Sequence, residues 1–113
     1  MFGDSVVVVR APVVRDRWDN DVADWTTATR TTITRVVVMP TSQVEDAAGN
    51  RVAISSGWRL HSAPGVDIDL RATDRVEWQG MSLEVVGEVA RYPHPIRTGA
   101  VHHVEVQLQR MTG

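Results

Sequence analysis

The sequence alternates between apolar and polar residues over several short stretches, and a period of two is typical of half-buried β-strands. The clearest case lies near the end of the chain, where Val104, Val106 and Leu108 alternate with polar residues. Valine is also abundant, and its branched Cβ favours strands over helices. No stretch keeps a 3.6-residue period over three turns. The sequence therefore predicts an all-β chain.

The predicted strands are short and are separated by turn signals. The first covers residues 6–9 and resumes at 13–14 after a break at Ala11 and Pro12, and the others cover residues 31–39, 58–62, 75–78, 83–85 and 102–110. Residues 52–55 are either a further short strand or part of the polar connection described below. Gln79 and Gly80 separate two alternating stretches, and glycine supplies the positive φ of a tight hairpin turn. Six or seven short strands in 113 residues predict one domain, residues 1–113, folded as a small β-barrel or sandwich.

The same alternation selects the side chains of the predicted core. Each belongs to a predicted strand and shares a face with other apolar residues: Ile33, Val37, Leu60, Val76, Trp78, Leu83, Val85, Val104, Val106 and Leu108.

Residues 41–56 form the longest polar connection in the chain, and they predict one long exposed loop that projects from the domain. The candidate residues of this loop are Gln43, Glu45, Asp46, Gly49, Asn50 and Arg51.

Composition narrows the possible functions. The chain has no cysteine, so it has no disulfide framework and no thiolate site. A formal net charge of −2 provides no general attraction to nucleic acid or to anionic membrane. The longest run of valines, residues 6–9, is far too short to span a bilayer, and the first residues lack a signal-peptide pattern. We expect an unprocessed, soluble chain that binds no cofactor and no membrane.

The residues that could carry chemistry show no catalytic pattern. His102 and His103 are adjacent, so on a regular strand they point to opposite faces and do not share a metal ion easily. Asp67 and Asp69 lie on one face of an extended segment, but solvated carboxylates are the simpler interpretation. We therefore expect no enzyme and no metal site. Two alternatives stay open, a small β-barrel that binds nucleic acid through tryptophan and arginine, and a small metal-dependent hydrolase.

Several segments, in order along the chain, carry a resemblance to a known family. Residues 67–80, 83–88, 92–95 and 103–110 resemble the strands and turns of head-to-tail stopper proteins from tailed phages of actinobacteria. Residues 6–10 and 16–20 are similar to the opening of that family. The resemblance is weakest over residues 41–56, and it departs at Met81, where a larger aromatic residue often follows the turn.

The resemblance implies a structural protein of the virion neck that is assembled in the host cytoplasm. Such stoppers form a ring, six-fold in the family, between the head–tail adaptor on the portal side and the tail terminator or tail tube. A loop from each subunit projects into the channel and retains the packaged double-stranded DNA without sequence-specific contact. The segment that matches this loop is residues 41–56. A tail terminator or another neck connector is the alternative, although both usually contain helix.

Ring assembly requires contact surfaces between subunits. We expect the first and last strands to form the exposed edges of the domain, and we place the contacts on the outward row of the last strand and on residues 91–99. The candidate residues of this interface are Arg91, Tyr92, His94, His103, Glu105 and Gln107.

Overall fold

The computed structural model describes residues 2–47 and 51–111, and for residues 42–47 and 51–56 it describes the backbone only. The described residues form eight β-strands and one turn of 3-10 helix, Trp25–Thr27. The strands are β1 Asp4–Arg10, β2 Val13–Arg15, β3 Asp21–Ala23, β4 Thr29–Ala47, β5 Arg51–Ser62, β6 Arg75–Trp78, β7 Met81–Pro93 and β8 Val101–Arg110. Within this part of the chain, no helix is long and apolar enough to cross a membrane.

Six of these strands close into an antiparallel barrel in the order β1-β4-β5-β8-β7-β6, and β2 and β3 form a separate two-stranded sheet. The prediction of an all-β barrel or sandwich is confirmed, and the barrel is the form observed. The barrel closes because β1 pairs with both β4 and β6. The expectation that the first and last strands are sheet edges is wrong, since β8 likewise pairs with β5 and β7.

The interior of the barrel is filled by aliphatic side chains, as expected for a small number of strands. Of the predicted core residues, Leu60, Val76, Leu83, Val104, Val106 and Leu108 are buried, and Ile33, Trp78 and Val85 pack against them while partly exposed. The sequence analysis missed Ile68 and Leu70. They come from the irregular connection between β5 and β6 and join the same cluster. We call this connection, residues 63–74, the plug. It is not a strand, so its buried residues do not follow a period of two and could not be recognised by alternation.

The prediction that Val37 belongs to the core is wrong. Its neighbours Val36 and Val38 are the buried residues. The pairing of β1 with β4 shifts between Asp4 and Val6, and Arg35 adopts a φ of 61° there. This β-bulge adds one residue to β4 and exchanges its inward and outward positions beyond Ile33.

The predicted hairpin at Gln79 and Gly80 is confirmed. Trp78 pairs with Met81, which leaves a two-residue turn. The φ values of 48° for Gln79 and 77° for Gly80 are both positive, as in a type I′ turn. This turn sets the register of β6 against β7.

The prediction of a long loop over residues 41–56 is also corrected by the backbone. Strands β4 and β5 stay paired from Val36↔Ser62 out to Ala47↔Arg51. The polar segment is therefore a β-hairpin, although its polar composition predicted a loop. We call residues 41–47 and 51–57 the arm.

Candidate functional site

The arm leaves the barrel where its two strands lose their other neighbours. Strand β1 pairs with β4 only between Thr29 and Val36. Strand β8 pairs with β5 only from His61 to Trp58. Beyond the pair Thr41↔Gly57, the two strands of the arm bond only to each other. Seven residue pairs at about 3.3 Å per residue give the arm a length of roughly 20 Å.

The root of the arm is held by a side chain from β8. The amide Nε2 of Gln107 donates a hydrogen bond of 2.9 Å to Oγ1 of Thr41 in β4. The intervening strand contributes Gly57, and a Cβ at this position would lie 2.6 Å from the Leu108 carbonyl oxygen and 3.0 Å from Nε2 of Gln107. Gly57 therefore allows Gln107 to reach across β5, and the contact ties the direction of the arm to the barrel wall.

Four of the six predicted interface residues lie together on the outer face of β7 and β8. The ring of Tyr92 stacks on His103 with 4.5 Å between centroids and 6° between planes. His103 Nε2 lies 2.8 Å from Oε2 of Glu105, and the ring of His94 lies 5.8 Å from that of His102. We call this cluster of Tyr92, His94, His102, His103 and Glu105 the histidine face.

Hydrogen bonding within the histidine face orders its protons. The Glu105 carboxylate accepts from Nε2 of His103, and this bond holds the pKa of Glu105 below its ordinary value, against the opposing effect of burial. In a neutral His103 ring, Nδ1 is then an acceptor, and it lies 2.9 Å from Nδ1 of His102. His102 must donate to it. The three side chains form one chain of hydrogen bonds that a strand of ordinary geometry would not build.

The expectation that His102 and His103 point to opposite faces is wrong. Tyr92 pairs with His103, whereas Pro93 pairs with Val101. Strand β8 thus has one residue more than β7 at this point, and His102 is the extra residue of a β-bulge. At a bulge successive side chains do not alternate between the two faces, so His102 and His103 can approach each other. His61 of β5 completes the group, because its Nδ1 lies 3.6 Å from Oε1 of Glu105.

Arg91 does not belong to the histidine face. Its Nη2 donates to the carbonyl oxygens of Ile68 and Leu70, each at 3.0 Å, and its Nε lies 3.3 Å from Oδ1 of Asp67. Arg91 therefore fixes the plug at the end of the barrel. The sixth predicted residue, Gln107, holds the root of the arm instead.

Asp74 and Asp69 bind the same guanidinium. Arg10 donates to both carboxylate oxygens of Asp74, at 3.0 and 2.8 Å, and to Asp69 at 3.1 and 3.2 Å. These bonds raise the pKa of Arg10 and lower that of Asp69. The Asp74 side chain is 1% exposed and that of Asp69 is 76% exposed, so the first pair is structural and the second lies at the surface.

Among the described residues, no three His, Asp or Glu side chains converge so that they could hold a metal ion. The candidate arm residues Gln43, Glu45, Asp46 and Arg51 are placed by their backbone on the two paired strands. Gly49 and Asn50 lie outside the described residues.

The tryptophans divide as their neighbours in the sequence indicate. Trp58 and Trp78 pack against the core. Trp25 lies under the guanidinium of Arg75, 3.7 Å from its ring centroid, and Trp18 is 68% exposed. The sequence analysis did not select Trp18 for a surface role, although its position in a turn of charged residues was a signal for one.

No protein-family model matches this chain, and no curated protein matches it.

Proposed function

We propose that this chain is a structural subunit of the neck of a tailed phage, a stopper that forms a ring between the head and the tail and retains the packaged DNA. The proposal rests on the sequence resemblance together with one observation, the arm that projects beyond the barrel. The six strands close the barrel without the arm, so the arm is not needed to complete the fold. A segment that reaches away from a ring of barrels can narrow the channel at its centre.

The hairpin form suits a gate better than the loop that the sequence predicted. Paired strands satisfy each other's backbone hydrogen bonds, so the arm can cross a water-filled channel without support from the barrel. The bond from Gln107 to Thr41 fixes its direction at the root. By sequence the arm contains Glu45 and Asp46 against one arginine, Arg51. An arm with so few cations retains DNA by obstruction, because phosphate binding requires clustered Lys or Arg.

The partners in this proposal are those that the resemblance implies. The head–tail adaptor binds on the portal side, and the tail terminator or tail tube binds on the other. The histidine face is the first candidate for one of these contacts, because Tyr92 is 44% exposed and its ring is already held by the stack on His103. A surface arranged before binding loses less conformational entropy in the complex.

The proposal is tested by shortening the arm without disturbing the barrel. Gln43 pairs with Ser55, so replacing residues 44–54 by Asn-Gly closes the hairpin with a two-residue turn. A phage whose own copy of the gene is deleted is complemented with this variant or with the unchanged chain. The purified variant should unfold at the same urea concentration as the unchanged chain, which controls for damage to the barrel.

We expect heads that fill with the shortened variant but lose their DNA before a tail joins, measured as nuclease-sensitive DNA in isolated heads. Full, stable and infectious particles would contradict the role of the arm as a gate. Particles that retain their DNA but never acquire a tail would show that the arm is needed for tail attachment and not for closing the channel.

A further inference from the structure

The small β2–β3 sheet is exposed on both strands and has no place in the barrel. Its three pairs run from Val13↔Ala23 to Arg15↔Asp21, and no barrel strand among the described residues pairs with it. A two-stranded hairpin is marginally stable by itself in water. Val13 is nevertheless 69% exposed and Val22 is 40% exposed. These valines give the hairpin an apolar surface that is available to a partner.

The tip of the hairpin is rigid and presents one aromatic side chain. The Asp16 carboxylate accepts from the backbone N–H of Trp18 and of Asn20, both at 2.9 Å. Asp19 turns the chain with a φ of 64°. The guanidinium of Arg17 lies over the Trp18 ring, 4.4 Å from its centroid. Trp18 is thus held outward with a cation beside it, and an ordered tryptophan is a common anchor of protein interfaces.

The root of the hairpin is anchored, so that its tip has a fixed direction. Asp24 N donates to the carbonyl oxygen of Pro12 at 2.9 Å, which closes the hairpin at its base. The Asp24 carboxylate caps the 3-10 turn through Thr26, and the adjacent Trp25 stacks under Arg75 of β6. The hairpin therefore projects from a base that is tied to the barrel.

The same chain carries a groove whose chemistry matches the tip. This groove has a volume of about 330 Å³ and is lined by β1, by β4 and by the connection that follows β5, with Arg10 of β1 at its border beside Asp69. Its apolar lining comes from Val8, Ile33, Val66 and Ile68. The side chains of Asp67 and Asp69 border it, 54% and 76% exposed, and Arg35 lines it from β4.

The charges of the tip and of the groove are complementary. Among the described residues Arg17 has no carboxylate partner. Asp67 shares the Arg91 guanidinium with the Ile68 carbonyl, and Asp69 shares the Arg10 guanidinium with Asp74. Arg17 can therefore approach the carboxylates of the groove. Asp19, which is 77% exposed and already pairs with Arg15, can then take Arg35 of the groove as a second partner. The Trp18 indole then packs on the apolar lining of the groove, between the carboxylates of Asp67 and Asp69 and the guanidinium of Arg35.

We propose that the Trp18 tip of one copy seats in this groove of a second copy. Tip and groove are different surfaces, so the contact is head-to-tail, the kind that closes into a ring when the rotation per copy permits. The closure of this contact into a ring rests on the proposed function. The contact itself does not, because association of two copies can be measured with the purified chain. It places the subunit contact on the β2–β3 hairpin and not on the histidine face.

The first test compares the self-association of the purified chain and of Trp18→Ala by sedimentation over a wide concentration range. The control is Ile96→Ala, since Ile96 is 85% exposed on a different loop. We expect Trp18→Ala to weaken association about tenfold or more, as for a central aromatic anchor, and the control to leave it unchanged. A wild-type chain that stays monomeric throughout, or a Trp18→Ala variant that associates normally, would overturn the inference.

The second test identifies the two surfaces directly. The chain has no cysteine, so Arg17→Cys and Asp69→Cys each introduce a single thiol. Mild oxidation should cross-link the two variants only when they are mixed. A disulfide within the Arg17→Cys sample alone would show a hairpin-to-hairpin contact and refute the groove. If Trp18→Ala dissociates but a shortened arm leaves the particles unaffected, the contact is supported and the stopper function is refuted. If Trp18→Ala associates normally but the shortened arm releases DNA, only the contact is refuted.

Discussion

A single guanidinium, that of Arg10, binds one buried and one exposed carboxylate, and the two should differ greatly in their contribution to stability. Asp74→Asn removes a partner that is 1% exposed, and we expect it to lower the free energy of unfolding by about 3 kcal/mol. Asp69→Asn is the matched control, because Asp69 binds the same guanidinium at the surface, and its effect should be much smaller. Urea unfolding of both variants measures the difference. Equal losses would contradict the structural role of Asp74.

Glu105 makes the stability of the histidine face depend on pH. His103 lowers the pKa of the folded-state carboxyl, so the ionised form stabilises the fold above the ordinary carboxyl pKa. This contribution is lost as the pH falls through the lowered pKa. We expect Glu105→Gln to cost roughly 1 kcal/mol at pH 7, the usual worth of a hydrogen bond, and less at pH 3. Urea unfolding at both pH values tests this. A loss that grows towards low pH would have the wrong sign.

The residue-scale errors of the sequence analysis have one physical cause. Val37 and the pair of His102 and His103 were assigned to faces by counting residues along a regular strand. Each lies beside a β-bulge, which inserts one residue and changes the side of every residue beyond it. Bulges depend on pairing between distant strands, so local alternation does not contain them. At Val104, Val106 and Leu108 the assignment is correct, because the register shift between Val86 and Ala90 adds its extra residues to β7 and leaves the period of β8 intact.

At the scale of the element, the turn between β6 and β7 is not occupied by its best residues. A type I′ turn needs positive φ at both positions, which asparagine tolerates better than Gln79 does. Gln79→Asn should therefore stabilise the chain by a few tenths of a kcal/mol. Gly80→Ala should destabilise it by about 1 kcal/mol, because its φ is 77°. Thermal unfolding of the two variants should give shifts of opposite sign, and shifts of the same sign would contradict the turn type.

The root of the arm depends on a close approach of two strands at Gly57. A Cβ there would meet the Leu108 carbonyl oxygen at 2.6 Å, so Gly57→Ala must push β5 away from β8. We expect a loss of about 2 kcal/mol in the free energy of unfolding, as in other overpacked sites. Gly3→Ala is the control, since nothing lies within 4 Å of a Cβ at that position. A Gly57→Ala chain as stable as Gly3→Ala would contradict the packing of the arm root.

The arm marks the limit of prediction for whole elements. The strands that enclose the core were predictable because one of their faces is apolar, as in β6 and β8. In the arm the apolar alternation is short, Val52 and Ile54 within a mostly polar segment, and such a segment is expected to be a loop. It is a strand because β4 and β5 continue the pairing that begins in the barrel, from Val36↔Ser62 outward. Within residues 41–56 only residues 52–55 carry a local strand signal, and it does not predict the partner strand.

For the whole molecule, closure of the barrel decides how copies can associate. With β1 paired to β4 and β6, the six strands close into a ring, and among the described residues unpaired edges remain only where strands run past their second neighbour, in the arm and in the outer parts of β7 and β8. Contacts between copies must therefore come from these edges, from side-chain surfaces or from the elements that stand off the barrel. Among the described residues, the arm and the β2–β3 hairpin are two such elements. In the proposed ring the arm serves the channel and the hairpin joins the subunits.

We propose that copies of this chain form a ring in the neck with their arms directed at the channel axis. Electron cryo-microscopy of the neck, in particles of a phage that encodes this chain, tests this proposal most directly. We predict a ring of six-stranded barrels between the portal side and the tail, with one hairpin of roughly 20 Å from each barrel pointing inward. Density for the barrel elsewhere in the particle, or a ring whose arms point outward, would contradict it.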